Sequence, residues 1–108
     1  MKLFIYGILK IEKQNHNILQ TSKFICNDTI NGTMYDLIQY PAIDINGNNT
    51  IYGEVYEIDK DTLNECDVIK GHPLLFKRIE IKTKKGYNCW VYYIPYPSGT
   101  IIKSGKWK

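Results

Sequence analysis

Three cysteines and two histidines are the residues of this sequence that could bind a metal or form a nucleophile–base pair. Cys26, Cys66 and Cys89 are separated by 40 and 23 residues, and no Cys-x-x-Cys pair occurs. His16 lies in a polar stretch and His72 in a Gly-His-Pro turn, so neither has a partner at metal-site or catalytic-dyad spacing. The sequence therefore predicts buried reduced thiols, no metal and no cofactor.

One segment has the pattern of a helix. Asp59 suits an N-cap, and Gly71 followed by Pro73 supplies a stop. The sequence therefore predicts a helix from about Lys60 to Lys70. The expected buried face consists of residues three positions apart, Leu63, Cys66 and Ile69.

Short apolar and β-branched runs predict the strands. The first run, residues 3–6, ends at Gly7, where the backbone can turn or a ligand can approach it closely. Further strands are predicted at residues 24–26, 33–37, 51–58, 75–82 and 87–94, with hairpin-like turns at Asn46-Gly47 and Lys85-Gly86 and an extension over residues 95–108. This interleaving favours an α+β fold, in which a mixed sheet or barrel carries a few helices.

Length and composition limit the classes of protein to which the chain can belong. With 108 residues, 44% of them hydrophobic, and a net charge of +3, residues 1–108 are expected to fold as one domain. The lysines are interspersed with 11 acidic residues, which argues against nucleic-acid binding. No apolar run is long enough for a membrane span or a signal peptide, so we expect a cytoplasmic protein with no membrane partner. The surplus of residues with A/T-rich codons indicates an AT-rich bacterium, a phage or a large virus; a phage protein would act in the host cytoplasm.

Seven sequence blocks occur in a fixed order along the chain. They read LFIYGILK at 3–10, NHNILQTSKFI at 15–25, NGTMYDLIQYPAI at 31–43, IYGEVYEID at 51–59, DVIKGHPLLFKR at 67–78, CWVYYI at 89–94 and IKSGKW at 102–107. In order and spacing they resemble the gamma-glutamylcyclotransferase-like family, in its gamma-glutamylamine cyclotransferase or AIG2-like branch. The corresponding motifs of that family are FVYGTLR, G-x-LYDLGxYPA, V-x-GEVY, LDxxEGHPxxYxR and SGDW. The resemblance implies a mixed α/β barrel with flanking helices and a pocket at one end.

The resemblance also implies a substrate-binding loop after the first strand. In the family this loop holds the γ-glutamyl part of the substrate through backbone N–H groups, and the matching residues here are Tyr6, Gly7, Ile8 and Leu9. Successive N–H groups in a glycine-containing turn suit a carboxylate or a developing oxyanion. The alternative is that these residues are only a strand end packed into the core.

The position of the family's catalytic acid/base is occupied by a lysine. The glutamate of the D-x-x-E-G motif corresponds to Lys70, and a lysine with an ordinary pKa of about 10.4 is protonated at pH 7 and cannot accept a proton. Phe76 stands where the motif has tyrosine, and Ile8 replaces its threonine or serine. The sequence therefore assigns no catalytic residue and favours a protein without the family's activity.

A displaced carboxylate is the remaining route to catalysis. Glu54 shares a strand face with Tyr52 and Tyr56 and could point into the barrel mouth or into solvent. Glu65 lies about 140° around the helix from Lys70. Asp67 occupies the motif's own aspartate position, where a structural role or a salt bridge to Lys70 is expected.

The exchange of a carboxylate for an ammonium predicts an anion-binding pocket. Its components are the backbone of residues 6–9, Lys70 and aromatic walls from Phe76, Tyr92 or Tyr93. The predicted function is a pseudoenzyme that binds or sequesters a small anionic metabolite or a nucleotide-like signal in the family pocket. Two alternatives stay open: an active cyclotransferase forming 5-oxoproline with a displaced acid such as Glu54, and an interaction module with a closed pocket. The oligomeric state is left open.

Overall fold

The structure is a computed structural model that describes residues 1–7 and 16–107. Within these residues the chain forms six strands, one α-helix and one short 3₁₀ helix. The strands are β1 Lys2–Ile5, β2 Lys23–Asp36, β3 Pro41–Glu57, β4 Lys77–Lys82, β5 Asn88–Tyr93 and β6 Thr100–Ile101; helix α1 spans Lys60–Lys70 and the 3₁₀ helix His16–Leu19. Neither helix has the length and apolar composition needed to cross a bilayer.

The strands form one mixed sheet in the order β4-β5-β1-β3-β2-β6. Neighbouring strands are antiparallel except for the parallel pair β1 and β5. The sheet is strongly curled, as one hydrogen bond between distant strands shows. The backbone N–H of Lys84, in the turn after β4, donates to the Thr29 carbonyl of β2 at 2.9 Å, although three strands lie between β4 and β2 in the sheet. This curled half-barrel with one α-helix confirms the predicted α+β fold.

Helix α1 has the predicted bounds. The Asp59 side chain accepts a hydrogen bond from the Thr62 N–H at 2.8 Å, and Gly71 ends the helix with a left-handed φ of 62°. The predicted buried face is wrong in its last member, because Ile69 is 41% exposed and Lys70 is only 6% exposed. At 100° per residue Lys70 lies about 20° around the helix from Leu63 and Ile69 about 120° away, so the period of 3.6 residues itself places Lys70 on the buried face.

The first hairpin differs from the prediction. One long strand, β2, contains the predicted strand 24–26 and most of the predicted strand 33–37, and it ends at Asp36. Its pairing with β3 shifts register between Gly32 and Thr33. Asn46-Gly47 lies inside β3 opposite that irregularity and is not a hairpin turn. The turn between β2 and β3 is at residues 37–40, where the exposed Ile38 adopts a φ of 80°.

The second hairpin and the tail complete the sheet. The predicted turn at Lys85-Gly86 is confirmed, with Gly86 at a φ of 100° and its N–H donating to the Thr83 carbonyl at 2.9 Å. The tail is not a free extension, because it contributes β6 and buries Trp107 to 8% exposure.

Two clusters of buried side chains lie on the two faces of the sheet. Alternation along β1 sends Leu3 and Ile5 to one cluster and Phe4 and Tyr6 to the other. The cluster with Leu3 and Ile5 also contains Cys66 of α1, so the helix covers that face. This packing carries the end of α1, and Lys70 with it, towards the end of β1.

Candidate functional site

Lys70 is the last residue of α1 and is held at the helix end by backbone capping. The N–H of His72 donates to the Asp67 carbonyl at 2.9 Å, and the N–H of Gly71 donates to the Val68 carbonyl at 3.2 Å. These bonds fix the direction in which the chain leaves the helix. The Lys70 side chain lies on the face of the helix that packs on the sheet, so the residue is only 6% exposed.

The Lys70 ammonium is surrounded by aromatic rings. Its Nζ lies 4.7 Å from the ring centroid of Phe76 and 5.9 Å from that of Tyr6. Among residues 1–7 and 16–107, no acceptor forms a hydrogen bond or an ion pair with this ammonium. Burial lowers the pKa of Lys70 from 10.5 to about 8, against a smaller opposing effect of Cys66. The group is therefore mostly protonated at pH 7 and is poorly compensated there.

A small cavity joins Lys70 to the end of β1. Its volume is about 10 Å³, and it is lined by Phe4, Ile5, Tyr6, Gly7, Lys70 and Tyr92. Gly7 is required at this point, because a Cβ there would lie 2.7 Å from Cγ of Pro41. The structure thus places Tyr6, Gly7 and Tyr92 beside Lys70, whereas Ile8 and Leu9 lie outside the described residues.

The two other aromatic residues predicted for the site have different locations. Phe76 is 2% exposed and packs against Lys70 Nζ and the Tyr40 ring, whose centroid is 5.7 Å away. Tyr93 packs with the cluster that contains Phe4 and does not line the cavity. Its separation from Tyr92 follows from the alternation of side chains along β5. Tyr93 therefore lies away from this cavity, and its role as a wall of the ligand site stays a prediction.

Hydrogen bonds fix the tyrosines of the cavity. The hydroxyl of Tyr6 donates to the Tyr92 carbonyl at 2.6 Å, and the hydroxyl of Tyr92 donates to Oδ1 of Asp67 at 2.6 Å. Burial raises the pKa of both phenols, and the bond to Asp67 adds to this effect at Tyr92. Both phenols are neutral donors that shape the cavity and cannot act as bases at pH 7.

Asp67 pairs with an arginine, not with Lys70. Nε and Nη2 of Arg78 donate to the two carboxylate oxygens at 2.8 and 3.1 Å. Burial acts to raise the pKa of Asp67, but the hydrogen bonds from Arg78 and Tyr92 outweigh it and hold that pKa below its usual value. The structural role expected for Asp67 is thus present, with a partner that the sequence spacing did not indicate.

Glu54 is buried, at 7% exposure, and accepts a hydrogen bond from the Tyr56 hydroxyl at 3.3 Å. It lines two larger cavities of about 470 and 440 Å³, away from the small cavity beside Lys70. Burial and the neighbouring Glu54 raise the pKa of Tyr56. Glu54 is therefore a buried carboxylate that adjoins space large enough for a ligand.

The sequence did not indicate that one aspartate and three lysines lie beside these cavities. Asp28 and the lysines Lys84, Lys85 and Lys106 line the cavity of about 470 Å³ together with Glu54. The Lys85-Gly86 pair predicted only a hairpin-like turn, and nothing in the sequence indicated that this turn lies beside Asp28. Within the described residues, no cluster of side chains could hold a metal ion, and all three cysteines are free thiols.

Comparisons with known proteins identify the fold and the family. Residues 3–108 match the family described as gamma-glutamyl cyclotransferase, AIG2-like. The gamma-glutamylcyclotransferase family protein YtfP of Escherichia coli K12 is 34% identical over 110 residues, which cover 99% of this chain and 96% of that protein.

Solved structures agree with this assignment. The crystal structure of PH0828 from Pyrococcus horikoshii superposes with a TM-score of 0.84 at 28% identity, covering 98% of this chain and 88% of that one. An AIG2-like protein of Mus musculus has the same fold, with a TM-score of 0.84 at 18% identity over 99% of this chain and 87% of its own. Sequence blocks, sheet topology and relatives therefore agree, and the chain belongs to the gamma-glutamyl cyclotransferase, AIG2-like family.

Proposed function

We propose that this protein is a family member without cyclotransferase activity, which binds a small anionic metabolite next to Lys70. The carboxylate or phosphate of the ligand would contact Lys70 Nζ and the backbone of the loop that begins at Tyr6 and Gly7. A protein of this kind would sequester its ligand or respond to it.

The observation that supports the proposal is the buried ammonium of Lys70, which has no hydrogen-bond acceptor among the described residues. Lys70 is 6% exposed, and its Nζ has no hydrogen bond within residues 1–7 and 16–107. A buried charge is costly unless it is paired, and an anionic oxygen at Nζ would offset that cost. The cavity of about 10 Å³ has room for roughly one oxygen atom of such a group.

The same observation argues against the family's reaction at this position. Formation of 5-oxoproline requires a base to take a proton from the substrate's α-amino group and to return one to the leaving amine. With a pKa of about 8, Lys70 is mostly protonated at pH 7, so only a minor fraction of it could accept that proton, and its charge would repel the substrate's ammonium.

Two observations keep alternatives in view. Glu54 is a buried carboxylate next to cavities of about 470 and 440 Å³, which supports a cyclotransferase with a displaced acid. The small volume beside Lys70 supports a closed pocket and an interaction module. The three functions differ in ligand binding and in turnover.

Ligand binding by the wild type and a Lys70→Ala variant tests the proposal. Thermal shifts are measured with γ-glutamyl compounds, 5-oxoproline, nucleotides and inorganic phosphate; a ligand at 100 times its Kd should add about 2.7 kcal/mol of stability. Lys70→Ala should weaken an anion that stabilises the wild type by about 10- to 150-fold. Lys60→Ala, an exposed lysine on the same helix, is the control.

Each other outcome favours one alternative. Unchanged affinity in Lys70→Ala would reject the proposed anion site. Release of 5-oxoproline from a γ-glutamyl amine that survives Lys70→Ala but is lost in Glu54→Gln would establish the displaced acid. Absence of both binding and turnover would leave the closed interaction module.

A further inference from the structure

A groove separate from the Lys70 cavity crosses strands β2 and β3. It consists of two adjoining cavities, of about 470 and 440 Å³, which share Asn27 and Glu54 in their lining. Each cavity lies within the size range of ligand sites in proteins. Neither is lined by Lys70 or by residues 4–7, so this groove is not the site proposed above.

One end of the groove is lined by Asp28, one of whose carboxylate oxygens has no hydrogen-bond partner among the described residues. Asp28 is 5% exposed, and its Oδ1 accepts hydrogen bonds from the N–H groups of Thr29 at 2.8 Å and Lys85 at 3.2 Å. Its Oδ2 is enclosed and has no hydrogen-bond partner in the described part of the chain. A buried acceptor in this state requires a donor, and a turn of the carboxylate towards the cavity that Asp28 lines would let a ligand hydroxyl or N–H provide it.

Three lysines surround the same end. Lys84 and Lys85 are fixed by their backbone, since their N–H groups donate to the Thr29 carbonyl at 2.9 Å and to Asp28. Lys106 comes from the tail and lies with its Nζ 4.8 Å from the centroid of the Tyr52 ring. Within residues 1–7 and 16–107, none of the three lysines forms an ion pair with an acidic side chain. This end therefore offers a cluster of uncompensated ammonium groups to an anion.

The other end of the groove is aromatic with a polar edge. Phe24 is 49% exposed and makes an edge-to-face contact with Tyr56, with ring centroids 5.5 Å apart. Ser22 lies there as well, and its Oγ is a second enclosed oxygen without a partner among the described residues. Such a surface suits a flat heterocycle that carries polar groups at its edge.

These features identify the chemical class of the ligand. We propose that the groove binds a nucleoside 5′-phosphate, with its phosphate at Lys84, Lys85 and Lys106. The ribose hydroxyls lie at the junction and donate to Asp28, in the way that a carboxylate binds ribose in dinucleotide sites. The base lies at Phe24 and Ser22. An aliphatic amino acid or inorganic phosphate would leave the aromatic cavity at Phe24 empty.

Isothermal titration with AMP, GMP, CMP and UMP tests the proposal, with adenosine, ribose 5-phosphate and inorganic phosphate as partial ligands. At least one nucleotide should bind more tightly than any partial ligand. Combined substitution of the three lysines by alanine should weaken it about 30- to 125-fold, from about three- to fivefold at each exposed lysine. Lys103→Ala removes the same charge from the tail outside the groove and should have no effect.

Two further variants separate the parts of the ligand. Asp28→Asn keeps an oxygen for the backbone bonds of Lys85 and Thr29 but replaces the free oxygen by a donor, so it should weaken nucleotides and ribose 5-phosphate about tenfold. Phe24→Ala should weaken nucleotides only. Circular dichroism melting confirms that each variant is folded.

The proposal is overturned if no nucleotide binds, if inorganic phosphate binds as tightly as the nucleotides, or if the lysine triple variant retains full affinity. Nucleotide binding that is lost in Lys70→Ala would also overturn it, because the ligand would then occupy the Lys70 cavity. Conversely, failure of every anion to depend on Lys70 would reject the proposed function without affecting this groove.

Discussion

Replacing Lys70 by methionine should stabilise the protein at neutral pH in the absence of ligand. The side chain is 6% exposed, and burial lowers its pKa from 10.5 to about 8. A change of that size corresponds to about 3 kcal/mol, at about 1.4 kcal/mol for each pH unit. Methionine is unbranched, of similar length and uncharged, so Lys70→Met should raise the free energy of unfolding by about 3 kcal/mol at pH 7.

The advantage of Lys70→Met should disappear at high pH. Between about 8 and 10.5 the unfolded chain retains the Lys70 proton and the native protein loses it, so wild-type stability rises with pH. Below about 8 both states are protonated and the cost of burying the charge is fully present. The difference between the two proteins should therefore be greatest at pH 7 and should approach zero near pH 10.5.

Urea unfolding of both proteins between pH 7 and pH 10.5, followed by circular dichroism, measures this difference. Groups away from position 70 contribute equally in both proteins and cancel in the comparison, and Cys66, whose charge acts on Lys70, is replaced by alanine in both. Lys60→Met, at an exposed position of the same helix, should change stability little and by the same amount at every pH. A Lys70→Met advantage that is absent at pH 7, or that stays constant up to pH 10.5, would refute the burial of an uncompensated ammonium.

Three further predictions follow from single contacts. Ile38→Gly should raise the free energy of unfolding by about 1 kcal/mol in thermal or urea melts, because Ile38 is 85% exposed and holds a φ of 80° that a β-branched residue adopts at a cost; a loss of stability would contradict this. Asp67→Ala should cost about 3 kcal/mol at pH 7, since it leaves the partly buried Arg78 and the Tyr92 hydroxyl without their acceptor. The deficit should shrink as pH falls below 3.8, because the lowered pKa of Asp67 makes its contribution disappear only in acid; an equal deficit at all pH values would argue against the ion pair. Lys70→Glu places a carboxylate where the family resemblance predicts the acid. An assay for 5-oxoproline release from γ-glutamyl amines should show only weak activity because Phe76 supplies no hydroxyl; activity as high as that of the relatives would show that Lys70 alone prevents the reaction.

The parts of the fold that depend on neighbouring residues could be predicted from the sequence. Helix α1 begins and ends where predicted, because Asp59 and Gly71 act on the backbone within one turn of themselves. The Lys85-Gly86 turn was likewise predictable, since glycine there adopts a positive φ. The hairpin between β2 and β3 was misplaced, because Asn46-Gly47 has the composition of a turn but lies within a long strand.

The order of the sequence blocks was also sufficient to predict the family and the mixed sheet. It placed Lys70 at the motif position of an acid, and the structure brings that residue to Tyr6 and Gly7. The spacing of three positions favoured Ile69 as the last buried residue, but a rotation of 100° per residue places Lys70 about 20° from Leu63 and Ile69 about 120° away. The charge of lysine, not the helix period, concealed its burial in the sequence.

The environment of each charge was decided by the tertiary structure. Asp67 pairs with Arg78 across 11 positions, whereas Lys70, three positions away, is the partner that helix spacing favours. Asp28 and Lys85 are 57 positions apart and meet only because the curled sheet brings the β4–β5 turn over β2. Burial and pairing depend on which distant segments exclude water from a group, so the sequence by itself determined the helix, its caps and the family, and chain packing determined which charged groups remain without partners.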